Sequence, residues 1–399
     1  MKKTVFISAG RTAIGSFGGS LKHLQGEDMA AQVMKALVAR AEIQADMVED
    51  VYLGCCTHAE NQNVLAPIIA RLALLKAGLR QETTSMTLDC ACCAGMRAVE
   101  AAHFAVQRGD CSIAFGGGVE NMSRTPQVIR ELRWGNRIGP VTIKDPLAGL
   151  GYEGFQKVAV DAGEVALQYG MGREEQDQWA LKSQQRYYAA LNKGYWEQEI
   201  IPLKVSTRQG AIYFQHDEFP RSDTTIEKLR SQPTVYGSPT VTAGNAPGLN
   251  DGAAGVLVAA AGRARELGIE ALAEIVATSS CAGSTRQIAS IPAAAIEMVL
   301  KKARLTIDDM AIIEINEAFA AMIMTSLWLL AGQERKKWEL LQEKCNVNGG
   351  SIAMGHPLGS SGCRIVQTMI WELRRRGGGY GVAAICGGLG QGTAMLIKV

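Results

Sequence analysis

Asp89-Cys90-Ala91-Cys92-Cys93-Ala94-Gly95-Met96-Arg97-Ala98-Val99 ends in the same way as His356-Pro357-Leu358-Gly359-Ser360-Ser361-Gly362-Cys363-Arg364-Ile365-Val366. Both stretches finish Gly-x-Arg-(Ala/Ile)-Val. Just ahead of that ending, one offers a thiol and the other an imidazole. The match points to one fold present twice, with a reactive side chain at the same turn of each copy. Such a pair suggests a site shared by two halves.

Working outward, Ala41, Ile43 and Asp46 recur at the same spacing as Ala303, Leu305 and Asp308. Both sets stand where an amphipathic stretch gives way to a strand-like run. Ala114-Phe115-Gly116-Gly117-Gly118 then matches Ala384-Ile385-Cys386-Gly387-Gly388. In the second half, Gly388 leads almost at once into Gln391-Gly392-Thr393-Ala394-Met395-Leu396-Ile397. Its counterpart in the first half, Asp251-Gly252-Ala253-Ala254-Gly255-Val256-Leu257, lies far downstream. Residues 119–250 therefore read as an insertion between two neighbouring strands. That leaves one half at 1–118 plus 251–270 and the other at 271–399. Each half alternates short β-branched runs with helical stretches, the pattern of layered α/β sheets with helices on their faces.

Composition narrows the function. A chain of 399 residues, 47% hydrophobic and 20% charged, suits a globular protein with a large buried core. A net charge of +2 lacks the clustered basic field of a nucleic-acid binder. The dense run Arg374-Arg375-Arg376 reads as a solvated helix end before Gly377. Met1-Lys2-Lys3 passes directly into strand-like residues, so no secretory signal is expected. The longest apolar stretch, 318–332, is too short to span a bilayer. Ten cysteines, with adjacent pairs at Cys55-Cys56 and Cys92-Cys93, read as free thiols in a reducing cytosol.

Cys92 falls between a strand-like run and a helix. There, unpaired backbone N–H groups and the positive dipole end favour the thiolate. A buried structural cysteine is the commoner use of this residue. Cys90 and Cys93 form a C-x-x-C, but no second pair at zinc spacing follows. His356 sits among glycines that let its backbone approach a substrate, and Pro357 holds its turn. The other four histidines lack such a loop. Cys386-Gly387-Gly388-Leu389-Gly390 reads either as a tight turn or as backbone N–H groups arranged for an oxyanion. Asn316 reads equally as a helix cap.

Taken together and in order, these blocks resemble the thiolases, the acyl-CoA acetyltransferase family. The likeness runs from Gly10-Arg11-Thr12-Ala13-Ile14-Gly15 to the last strand. It also rests on Glu120-Asn121-Met122-Ser123-Arg124, Gly244-Asn245-Ala246-Pro247-Gly248-Leu249-Asn250-Asp251-Gly252, Asn316-Glu317-Ala318-Phe319 and Gly355-His356-Pro357. The resemblance implies a thiolase-like fold of two pseudo-symmetric α-β-α-β-α halves with an inserted loop domain covering coenzyme A. It implies that Cys92 carries the acyl group, that His356 takes its proton, and that Asn316 holds an oxyanion-hole water. It makes Gly388 a backbone donor and Cys386 the acid/base at the α-carbon. CoA contacts fall to Arg221, Pro247, Ala318, Phe319 and, where the family has a histidine, Lys157. The resemblance also implies no permanently bound cofactor and no metal, with CoA as a substrate. It further implies a cytoplasmic homodimer or homotetramer, with or without a partner subunit, that binds neither membrane nor nucleic acid.

Several departures from the family pattern bear on specificity. Cys93-Ala94-Gly95 replaces Gly-Ser-Gly, and a thiol at Cys93 is expected to reshape the pocket floor. Pro247 replaces a serine. Arg286-Gln287-Ile288-Ala289-Ser290 replaces a segment with two glycines beside the acyl pocket. These changes predict an acyl substrate bulkier than acetoacetyl-CoA. Two other readings are a ketosynthase-like condensing enzyme, against which Cys386 argues, and a non-catalytic acyl-CoA-binding subunit.

Overall fold

The computed structural model describes residues 2–57, 68–129, 132–148, 151–207 and 210–399. Nine strands carry the fold. In chain order they are β1 (Thr4–Thr12), β2 (Asp50–Gly54), β3 (Thr84–Leu88), β4 (Ile113–Asn121), β5 (Asn250–Ala260), β6 (Ala273–Ala282), β7 (Met310–Ile315), β8 (Tyr380–Gly387) and β9 (Gln391–Lys398). They line up as β7-β8-β9-β6-β1-β5-β4-β2-β3, with two-residue strands at Gly15–Ser16 and Ile200–Ile201 on the flank.

That order reads symmetrically outward from the β6–β1 junction. β6 pairs antiparallel with β9 as β1 does with β5. β9 and β5 pair antiparallel with β8 and β4. β8 and β4 run parallel to β7 and β2. The junction itself is slight, Val5 opposite Glu274 and Phe6 opposite Ala273. Two sheets thus meet edge to edge, and packing does most of the joining.

Helices Ala94–Arg108 and Leu358–Arg375 lie together between the sheets. Gly26–Arg40 and Ile69–Ala77 cover the outer face of the first half, and Ile291–Ala303 and Ala320–Leu330 cover that of the second. Three hydrophobic clusters fill the three helix–sheet interfaces. With helices on both faces, β4, β5 and β8 are buried almost throughout, which is why they read as near-continuous apolar runs. Leu358–Arg375 is buried along most of its length, as a helix enclosed on all sides must be.

β4 and β5 are hydrogen-bonded neighbours, Gly118 opposite Ala254, although 128 residues (122–249) separate them in the chain. Their counterparts β8 and β9 are joined by Gly388–Gly390 alone. The strands claim Val119–Asn121 and Asn250 from the ends of the expected insertion. The rest carries helices Val158–Gln168 and Arg173–Asn192 and a small hairpin, Leu203–Thr207 with Gly210–Phe214. Among the described residues, no helix is long and apolar enough to cross a membrane. The apolar stretch 318–332 forms the buried helix Ala320–Leu330.

Candidate active site

The two central helices bring their N-terminal turns to one end of the sheets, and the reactive groups stand there. Cys92 precedes helix Ala94–Arg108, and Ala91 before it adopts φ 50°, a left-handed turn that lifts the thiol off the strand end. His356 precedes helix Leu358–Arg375. Gly355 takes φ 106°, and any Cβ there would collide with Asn250, whose Oδ1 accepts the His356 N–H at 3.0 Å. The glycine therefore lets the β5 asparagine clamp the histidine backbone.

His356 Nε2 lies 3.2 Å from Cys92 Sγ. On the other side of the ring, Nδ1 is 2.7 Å from Ser361 Oγ, whose hydroxyl donates to Pro357 O at 2.9 Å. With its proton committed to that carbonyl, Ser361 accepts from the ring, so Nδ1 carries the hydrogen and Nε2 presents its lone pair to the thiol. Asn316 Nδ2 also approaches Nε2, at 3.4 Å. Burial, with the nearby Arg364 cation, holds the imidazole down at about 3, so it is neutral at ordinary pH. The thiolate expected from the helix dipole does not form here. Burial pushes the Cys92 thiol well above its usual range, and the negative charges of Glu120 and Asp89 push the same way. The resting pair is an uncharged thiol and an uncharged base.

Cys386, near the end of β8, is fully buried with its Sγ 3.1 Å from Met322 Sδ. Burial keeps it protonated. Gly388 follows at the turn, and a Cβ there would fall inside the Tyr152 hydroxyl. Asn316 is not a helix cap; Phe319 caps Ala320–Leu330. Asn316 is instead fully buried just after β7, its N–H bonded to Ala384 O on β8 at 3.0 Å and its Oδ1 accepting from Ser351 Oγ at 2.7 Å.

A cavity of about 660 Å³ holds Cys92, His356, Cys386 and Gly388 on its wall. Arg221, Pro247, Ala318 and Phe319 line it too. Lys157 does not: it is exposed and caps helix Val158–Gln168, while the adjacent Val158 faces the cavity. Cys93 also corrects the expectation. Its side chain is buried under Gly387, with Sγ 3.4 Å from Ile385 O, and does not itself line the cavity. Of the segment 286–290, only Ile288 reaches the cavity; Arg286 turns outward to Asp161 and Glu164. Among the described residues no group is arranged to hold a metal ion, and all ten cysteines are free.

Other residues at the site escape a reading of motifs. Tyr152 lines the cavity over Gly388, and burial raises its phenol to about 12. Glu120, fully buried on β4, ties the turns together by accepting from the N–H groups of Cys56 and Gly359 at 3.1 and 2.8 Å. It opens the block Glu120–Arg124, yet only the fold shows what it spans.

The chain is similar to known proteins along its whole length. The model of the thiolase N-terminal domain matches residues 4–262, and that of the C-terminal domain matches 269–399. An acetyl-CoA acetyltransferase from Thiocystis violacea is 40% identical over 99% of this chain and 98% of its own. A beta-ketoadipyl-CoA thiolase from Pseudomonas aeruginosa is 39% identical over 100% of both chains. The crystal structure of human mitochondrial 3-ketoacyl-CoA thiolase in complex with CoA superposes with a TM-score of 0.91 at 34% identity, covering 100% of this chain and 98% of that one. With both halves matched and the fold shared, this chain belongs to the thiolase family and is an acyltransferase.

Proposed function

We propose that the enzyme cleaves a 3-ketoacyl-CoA with free CoA, or runs the reverse Claisen condensation, through an acyl group carried on Cys92. The observation that carries this reading is the 3.2 Å approach of His356 Nε2 to Cys92 Sγ in a cavity shared with Cys386.

In cleavage, His356 Nε2 takes the Cys92 proton as the sulfur attacks the 3-keto carbon. The C2–C3 bond breaks, and its electron pair goes to the acetyl-CoA fragment as an enolate. The imidazolium N–H and Asn316, through a water, face that enolate oxygen. The Cys386 thiol, held protonated by its burial, delivers a proton to C2, and acetyl-CoA leaves. Free CoA then gives its thiol proton to Cys386 and attacks the acyl carbonyl, whose oxygen faces the N–H groups of Cys92 and Gly388. The Cys92 sulfur departs and recovers its proton from His356. Residues 122–249 cover the CoA arm, with Arg221 on the nucleotide side, its guanidinium 5.1 Å from the Phe219 ring centre.

The cavity wall also takes in Cys56, Met122, Pro146, Leu147 and Tyr152. This extent, with Ile288 and Pro247 on the wall, supports an acyl chain longer than that of acetoacetyl-CoA. A second copy of the chain fits the outer edge of β3, which pairs only with β2 among the described residues and leaves Met86 52% exposed. Ten free thiols suit a reducing, cytoplasmic setting. Thiolysis measured across 3-ketoacyl-CoA chain types tests the reading. Higher kcat/KM for bulkier acyl groups is the expected result. A clear preference for acetoacetyl-CoA removes the specificity proposal, and no turnover of any 3-ketoacyl-CoA removes the whole reading.

A further inference from the structure

The repeated Gly-x-Arg ending places an arginine within the first two turns of each central helix, and the reaction described above uses neither. Arg97 lies at the surface, its side chain 37% exposed and paired with Glu100. Arg364, at the matching position, is 2% exposed and sealed behind the active site. Its Nη2 donates to Ser351 Oγ at 3.1 Å. Ser351, fully buried, donates to Asn316 Oδ1 at 2.7 Å. Asn316 Nδ2 is the group that approaches His356 Nε2.

The donor and acceptor inventory gives this chain of contacts a direction. A guanidinium only donates, so the Ser351 oxygen must accept from Arg364 and its hydroxyl hydrogen is free for Asn316. An amide that receives that hydrogen must present its oxygen to Ser351, and its NH₂ group is then turned to the site. Without the guanidinium, one more serine lone pair is unclaimed, and the hydroxyl accepts from the amide more readily. A flipped Asn316 would aim its oxygen at the place where the enolate oxygen gathers charge. Glu314, fully buried with its nearest oxygen 3.9 Å from Arg364, is the carboxyl that faces the guanidinium, and burial raises it to about 8. Arg364 Nε and Nη1 have no other partner among the described residues, so its one close bond is the one to Ser351.

We propose that Arg364 is a positioning residue that acts through Ser351 to fix the orientation of the Asn316 amide, and so prepares the hole that receives the enolate. The proposal rests on the thiolase reaction above. It assigns Arg364 and Ser351 to the carbon–carbon step and not to the attack of Cys92.

The test separates those two steps. Exchange of the acetyl-CoA methyl hydrogens into deuterated water reports enolate formation; alkylation of Cys92 by iodoacetamide reports the thiol and the fold. Ser351→Ala and Arg364→Gln should lower exchange and thiolysis kcat by roughly 10- to 100-fold, part of what a lost oxyanion donor costs. KM and the alkylation rate should stay within about twofold of wild type, on the order of experimental spread for untouched groups. Ser351→Thr, which keeps the hydroxyl, should restore exchange, and combining the two lesions should cost little more than one. Exchange unchanged in Ser351→Ala overturns the proposal, as does a parallel loss of exchange and alkylation. A wild-type enzyme that alkylates at Cys92 but shows no exchange removes the enolate reaction itself, and the proposal with it.

Discussion

The His356 turn and the Cys92 turn occupy corresponding places in two halves that repeat one another strand for strand, yet their surroundings are opposite in charge. Around Cys92 stand Glu120 and Asp89, which with burial hold the thiol protonated. Behind His356 stands Arg364, which with burial holds the imidazole unprotonated. One repeat position carries this divergence plainly: Arg97 faces solvent, and Arg364 reaches through Ser351 toward the site. Duplication supplied the geometry, two helix starts meeting at one end of two sheets. Within that shared geometry one helix start carries the nucleophile and the other carries its base. A neutral pair suits a dry cavity, because two separated charges there would carry a heavy desolvation cost before substrate arrives.

The comparison breaks first at the two reactive side chains. Cys92→Ala and His356→Ala should each lower thiolysis by roughly 10⁴-fold, nearly as much singly as together, since they act as a unit. Steady-state assays on folded variants check this, and additive losses would mean that the halves work separately. Cys386→Ala should cost less, on the order of 10²- to 10⁴-fold in thiolysis, with alkylation of Cys92 retained. Iodoacetamide labelling measured beside turnover decides that case.

The charge asymmetry makes a pH prediction of intermediate size. The Cys92 thiol lies above its usual range, so its thiolate fraction still rises at pH 9. Alkylation should climb about tenfold per pH unit from 6 to 9. With His356 held at about 3, no inflection should appear near 6.5. A plateau reached below pH 7 would show an ion pair at rest. The smallest effect belongs to Arg97→Ala, whose part-exposed pair with Glu100 predicts less than about 1 kcal/mol by urea unfolding and unchanged activity.

Much of this arrangement is legible along the chain because repeats preserve order. The interrupted match between Gly118 and Asp251 was enough to make β4 and β5 neighbours, and the shared Gly-x-Arg ending was enough to pair Cys92 with His356. Side-chain direction is not carried by order. Cys93 adjoins the nucleophile yet points away, because its helical turn faces Ile385. Lys157 is one residue from the cavity and outside it. Asn316, Ser351 and Arg364 are spread over three elements, and no spacing rule connects them; their contact arises only when the Leu358–Arg375 helix is buried against β7. The same holds for Tyr152, from an irregular loop whose path no periodicity predicts.

The most direct test of the whole account is to mix the enzyme with a 3-ketoacyl-CoA, withhold free CoA, and map the covalent adduct by peptide mass spectrometry. The account predicts one acyl mass on the peptide bearing Cys92, released by adding CoA and absent in Cys92→Ala. An adduct on Cys386 or another thiol, or turnover with no adduct on Cys92, would contradict it.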